Sequence, residues 1–246
     1  MEPIIHIATP PEELSRVAAA EFVRRAQEAV QAKDLFTVAL SGGSTPRSVY
    51  ALLADDVSLR TAVPWNKAHF FWGDERHVPP DHPESNYRMA YEALLGKVPV
   101  PAANVHRIKT EYPDAQQAAD EYEQEVREFF RLEAGPFPRF DLLLLGMGPD
   151  GHTASLFPGT AALQERERLV VANWVEKFRS YRITLTLPVI NNAAHILFLV
   201  SGEEKAEMLR AVLRDEAQSQ RFPTQLVRPT HGTLLWLVDQ QAARLL

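Results

Sequence analysis

The runs DLLLLG (141–146) and HILFLV (195–200) are apolar almost without interruption, the pattern of strands buried on both faces. Strands of that kind sit in parallel sheets with helices on either side, and the segments between them can supply those helices. PEELSRVAAAEFVRRAQEAV (11–30), YRMAYEALL (87–95), AQQAADEYEQEVREFFRL (115–132) and EEKAEMLRAVL (203–213) carry apolar residues at spacings of three and four. Further strands are expected at IIHIA (4–8), FTVALS (36–41), HFFWG (69–73), LVVANW (169–174), RITLTL (182–187) and LLWLV (234–238). The expected fold class is therefore α/β, a mostly parallel sheet sandwiched by helices. At 246 residues and 46% hydrophobic content, one domain spanning 1–246 can bury a large core.

Charge and cysteine content narrow the function classes. Lys and Arg total 26 against 32 for Asp and Glu, a formal net charge of −6, so nucleic acid and anionic membrane are not expected partners. An anionic ligand must then be held by a local basic cluster. With no cysteine, disulfide frameworks and Cys-based metal or nucleophile chemistry are excluded. The first residues, MEPIIHIATPPEEL, do not resemble a secretion signal, and no apolar run is long enough to span a bilayer. A cytoplasmic protein, monomeric or weakly homo-oligomeric, is the expectation.

Parallel α/β sheets bind ligands at the carboxyl ends of their strands. Four polar segments follow strands directly: SGGSTPRS after FTVAL, GDERHVP after HFFW, GMGPDGHTAS after DLLLL, and SGEEKA after HILFLV. In the first, Thr45 reads as a helix N-cap with Pro46 at the first helical position, and Gly42 and Gly43 let backbone N–H groups approach a phosphate. A plain β-to-α turn rich in Gly and Ser fits those residues equally well.

GMGPDG matches the dinucleotide pattern G-x-G-x-x-G in form only. Pro158-Gly159 follows too soon for a crossover helix, and no acidic residue stands where the ribose partner belongs. The alternative is a glycine-rich turn that presents His152, with Asp150 two residues before it, for general acid–base work. His69 and His195, on strands, are expected to be packed; His77 and His82, in the Pro-rich loop 77–86, could line a pocket. GDERHVP adds Asp74, Glu75 and Arg76, a set that also fits a solvated charge cluster. Arg179, Arg182 and Lys205 are further candidate cations.

LSGGSTPRSVY, FFWGDERHVPPDHPESNYRMAYEALL, FDLLLLGMGPDGHTASLFPGT and RITLTLPVINNAAHILFLVSGEEKAEML, in this order, resemble the 6-phosphogluconolactonase family over nearly the whole chain. The resemblance implies hydrolysis of 6-phospho-D-glucono-1,5-lactone to 6-phospho-D-gluconate in the pentose phosphate pathway, without a metal or organic cofactor. It also implies the fold shared with glucosamine-6-phosphate deaminases. By position, His152 matches the family's general base, and His152, Asp150 and Arg76 are the candidate catalytic residues. Gly43, Ser44, Thr45, Asp74, Asn86, Arg182 and Lys205 are the candidate substrate and phosphate contacts. KFRSYRITLT departs from the Pro-rich approach usual in relatives, so the resemblance assigns Arg179 no role.

Two other readings stay open on the same scaffold. A sugar-phosphate deaminase or isomerase would carry a Glu five residues after the histidine, where this chain has Phe157. A non-catalytic sugar-phosphate sensor would be expected to accompany a DNA-binding segment or a basic patch, and the sequence shows neither.

Overall fold

In the computed structural model, which describes residues 3–9, 12–133, 135–214 and 222–246, the apolar runs form the interior of a parallel sheet. Along the chain the strands are β1 (Ile4–Ala8), β2 (Phe36–Leu40), β3 (Ala68–Trp72), β4 (Asp74–Arg76), β5 (Leu142–Leu145), β6 (Val170–Val175), β7 (Ser180–Leu185), β8 (His195–Val200) and β9 (Thr233–Asp239). The helices are α1 (Glu12–Lys33), α2 (Ser44–Asp55), α3 (Val57–Ala62), α4 (Asn86–Ala90), α5 (Ala115–Phe130), α6 (Leu187–Asn191) and α7 (Ala206–Arg214). Pro11, with which the expected first helix begins, lies outside the described residues.

Six strands pair in the order β1-β9-β8-β5-β2-β3, every pair parallel. β2 and β5 are buried along their whole length, as the unbroken apolar runs require. Cutting Leu143 back to alanine would cost about 2–5 kcal/mol, because the site is fully enclosed. Thr37, the polar residue inside β2, is satisfied by the Asp141 carboxylate, which accepts from its N–H and its hydroxyl at 2.8 Å each. β1 does not share this burial: Ile4, Ile5 and Ile7 are exposed on an edge strand.

The sheet differs from expectation in one respect. LVVANW and RITLTL do not join the parallel layer; with the charged tripeptide DER they form a separate antiparallel sheet, β4-β7-β6. Asp74-Glu75-Arg76 is thus a strand rather than a solvated loop, and Asp74 and Glu75 are buried. Burial pushes the Glu75 carboxyl up, against the backbone N–H groups of Asn86, Tyr87 and Arg76 that favour its ionised form. The bonds from Asn86 and Tyr87, 2.7 Å each, let Glu75 hold the start of α4. YRMAYEALL is also not one helix, because α4 passes into a single π-turn over Tyr91–Leu95.

Between β2 and β5 the strand order reverses, since β3 lies on one side of β2 and β5 on the other. A cleft opens at the carboxyl ends there, as it should in an open α/β sheet.

Candidate active site

The cleft encloses about 250 Å³ and is walled by four chain segments. The loop after β2 contributes Ser41 to Pro46, β4 and the start of α4 contribute Asp74, Arg76 and Asn86, the loop after β5 contributes Gly146 to Pro149, His152 and Ala154, and the end of β8 leads to Ser201 and Lys205. All four polar segments singled out in the sequence therefore meet at one place.

The first helix start differs in detail from expectation. α2 begins at Ser44 with Gly43 as its N-cap, so Thr45 lies inside the first turn and does not cap it. Gly43 has φ 107 and ψ 166, a conformation open only to glycine, and no side chain accepts from the first N–H groups of the helix. Gly42 is required for space: a Cβ there would fall 1.9 Å from Asn86 Oδ1. The result is an uncapped helix N-terminus facing the cleft, with Lys205 and Arg76 in the same wall.

Arg76 donates to the Glu84 carbonyl at 2.6 Å and sits opposite Arg182 across the β4–β7 ladder. Neither guanidinium forms an ion pair among the described residues, and like charges directly opposite repel. Burial, then Arg76's charge, pushes the Arg182 guanidinium down from its ordinary value. Its Nε is buried without a partner. Arg182 itself does not reach the cleft wall; its guanidinium lies 5.0 Å over the Phe178 ring. A bound anion beside Arg76 would relieve this crowding.

Asp74 and Asn86 line the cleft and are bonded to one another. Asn86 Nδ2 donates to the Asp74 carbonyl at 2.9 Å, and Ser155 Oγ donates to Asp74 Oδ2 at 2.6 Å. Ser155 had no signal in the sequence beyond its place after the histidine.

The loop after β5 carries no helix between residues 147 and 160, which leaves GMGPDG as a turn and not a dinucleotide loop. Gly148 N–H donates to the His152 carbonyl at 2.9 Å, and Thr224 Oγ1 donates to the carbonyl of Gly151, a residue with φ 75, at 2.6 Å. Ala154, in the cleft wall, is held at φ 47, a strained conformation for a residue with a Cβ. Asp150 sits behind the imidazole, its Oδ1 against Nδ1 of His152 and its Oδ2 3.3 Å from Lys177 Nζ. Burial alone would raise the Asp150 carboxyl, but the hydrogen bond and charge of His152, with Lys177, hold it well below the usual carboxylate range. With Nδ1 engaged, Nε2 is the nitrogen left for a ligand or water in the cleft.

The other candidates fall elsewhere. His77 Nε2 lies 2.8 Å from the Tyr112 carbonyl, tying its loop to a distant segment, and His82 Nδ1 accepts from Glu84 N–H at 3.1 Å within its own loop; neither side chain lines the cleft. His69 and His195 are packed against His106 and Thr233, as expected of strand residues. Arg179 is exposed at a turn with φ 47. Sequence reasoning missed Ser41, whose buried Oγ lines the cleft with no partner, and Ser201, held by Asp239 at 2.6 Å. Among the described residues no group of three or more His, Asp or Glu side chains is arranged to hold a metal ion. No described helix is long and apolar enough to cross a membrane.

Residues 9–236 match the family of glucosamine-6-phosphate isomerases and 6-phosphogluconolactonases. The chain belongs to this family. Among its relatives is the 6-phosphogluconolactonase of Synechocystis, 47% identical over 89% of this chain and 88% of the relative. The human 6-phosphogluconolactonase is 41% identical over 87% of this chain and 82% of its own length. Of solved structures, the 6-phosphogluconolactonase of Trypanosoma brucei superposes with a TM-score of 0.86 at 30% identity, covering 99% of this chain and 98% of that one. A monomeric glucosamine-6-phosphate deaminase superposes with a TM-score of 0.81 at 23% identity, covering all of both chains, which extends the shared family fold to deaminases.

Proposed function

We propose that this chain is a 6-phosphogluconolactonase, a cytoplasmic enzyme that is monomeric or weakly self-associating. It hydrolyses 6-phospho-D-glucono-1,5-lactone to 6-phospho-D-gluconate in the oxidative branch of the pentose phosphate pathway. The observation that carries this reading is the division of the cleft: an imidazole with Nδ1 tied to a carboxylate on one wall, and an uncapped helix N-terminus with Lys205 and Arg76 on the others. The phosphate sits against the N–H groups of α2 and the two cations, while the lactone carbonyl lies toward His152.

His152 Nε2 takes a proton from water as its oxygen attacks the carbonyl carbon, and Asp150 stabilises the imidazolium that forms. Loop N–H groups in the cleft stabilise the tetrahedral oxyanion. Collapse of the intermediate breaks the bond to the ring oxygen, which leaves as an alkoxide and takes the proton back from His152. The carboxylic acid released then ionises in water. No covalent nucleophile is required, because the leaving group stays tethered to an already reactive ester.

The test is a product-coupled assay with freshly generated lactone, corrected for spontaneous hydrolysis. Enzyme-dependent turnover supports the reading, and its absence rejects it. Release of ammonia from glucosamine 6-phosphate at comparable rates would instead favour the deaminase reading, against which Phe157 stands: it is apolar and stacked on His152 at 4.1 Å.

A further inference from the structure

The tip of the β6–β7 hairpin closes a ring of contacts around His152. Asp150 accepts from Nδ1 of the imidazole and faces Lys177 Nζ at 3.3 Å. Lys177 Nζ lies 5.5 Å over the Phe178 ring, and Phe178 meets Phe157 edge-on at 5.7 Å and 73°. Phe157 in turn stacks on the imidazole at 4.1 Å and 25°, completing the circuit. Phe178 is 44% exposed, so core burial does not explain it. Its contacts run to Phe157, Lys177 and the Arg182 guanidinium, which lies over the ring at 5.0 Å.

We propose that Lys177 and Phe178 are positioning residues for His152, holding the imidazole from two sides. Phe178 presses the Phe157 ring against one face of the imidazole and so fixes its plane. Lys177 occupies one oxygen of Asp150 and so keeps the other on Nδ1, which fixes the tautomer and leaves Nε2 toward the cleft. The lysine also offsets part of the carboxylate charge felt by His152. Among the described residues, the other charged side chains lining the cleft are Asp74 and Arg76 from β4 and Lys205 after β8, while the guanidinium of Arg182 on β7 lies over Phe178. This assignment rests on the lactonase reading, with His152 as its base.

The experiment compares Phe178→Ala, Phe178→Tyr, Lys177→Met and Lys177→Arg with the wild type, each checked for folding by thermal melting. Phe178→Ala should lower background-corrected kcat about tenfold with KM within about twofold, since a loosened base misplaces the attacking water. Phe178→Tyr, which keeps the ring, should restore it. Lys177→Met leaves the full Asp150 charge on the imidazole, which favours imidazolium. The acidic limb of the kcat/KM–pH profile should then move up by about half a pH unit, Lys177→Arg should not move it, and in an Asp150→Asn background, where the lysine has lost its tether, Lys177→Met should move it less. A rise in KM at constant kcat would make either residue a substrate contact and overturn the assignment, as would unchanged kcat and an unmoved limb.

Proton NMR gives a readout that does not need turnover. The His152 Hε1 resonance, assigned by difference with His152→Ala, should carry a ring-current shift from Phe157 that Phe178→Ala reduces and Phe178→Tyr retains. If the wild type turns over no lactone but this response is seen, the activity reading falls and the positioning role stands. If turnover is present and neither the resonance nor the limb responds, the positioning role falls alone.

Discussion

Replacing Gly148 by alanine places a methyl group where the histidine ring now lies. A Cβ built there falls 2.1 Å from both Cε1 and Nδ1 of His152 and 2.9 Å from Asp150 Oδ1, whereas ordinary contact begins at 3.4 Å. The ring must retreat by about 1.3 Å, and a movement of that size disturbs the hydrogen bond to Asp150. Gly148 is not one of the positive-φ residues, so the perturbation is steric and the backbone can accept alanine. A misplacement of about 1 Å at a catalytic group costs up to about 10²-fold in rate, or about 2.7 kcal/mol in the barrier. Overpacking should cost about 1–3 kcal/mol of stability, which a melting curve reads separately. The α2 N-terminus, Arg76 and Lys205 are untouched, so the Kd for 6-phosphogluconate, measured by calorimetry, should stay within about threefold. A Gly148→Ala enzyme with kcat within threefold of wild type in the background-corrected assay would refute the idea that this turn exists to present His152.

Other expectations follow from the same geometry. His152→Ala should lower kcat by about 10² to 10⁴ and leave affinity for the phosphorylated product nearly unchanged, with uncatalysed lactone hydrolysis setting the floor of the progress curves. Arg76→Ala or Lys205→Ala should raise KM for the phosphorylated lactone, and equal wild-type KM values for phosphorylated and unphosphorylated gluconolactone would count against a phosphate site there. Burial, with the charge of His106, pushes His69 down from its ordinary 6.5 to about 4, so the fold favours its neutral form. The stability it lends is present above about pH 6.5 and is lost as pH falls toward 4, and His69→Leu should flatten the fall of melting temperature over that interval.

The parallel sheet was legible because burial on both faces writes itself into composition: LLLL in β5 and FTVAL in β2 have no exposed face to mark. The strand-end rule then gathered the loops at 41–46, 146–154 and 201–205 without any knowledge of contacts. The antiparallel sheet was not legible, because β4 is three charged residues whose strand character comes from pairing with β7 more than 100 positions away. Arg182 stood among the candidate contacts through the family resemblance, and in the fold its guanidinium lies over the Phe178 ring. Thr45 looked like a cap by residue type, but a glycine at φ 107 starts the helix earlier. Lys177 and Phe178 left no local signal, since their partners Asp150 and Phe157 are joined to them only by the fold.

The buried Asp74 carboxylate receives Ser155 from the histidine loop, while its main-chain carbonyl receives Asn86 from the end of the Pro-rich loop, and Asn86 in turn lies against Gly42. Three chain segments are thereby locked in register before any ligand arrives. The entropy of arranging the cleft is thus lost once, on folding, and not again at each encounter. Fold stability and ligand affinity then share a determinant: Ser155→Ala, which leaves a buried oxygen of Asp74 short of a donor, should lower the melting temperature and weaken 6-phosphogluconate binding together. Drift in the recognition loop is constrained by the same residue that anchors the catalytic one, so the two halves of the cleft are bound to change as a unit.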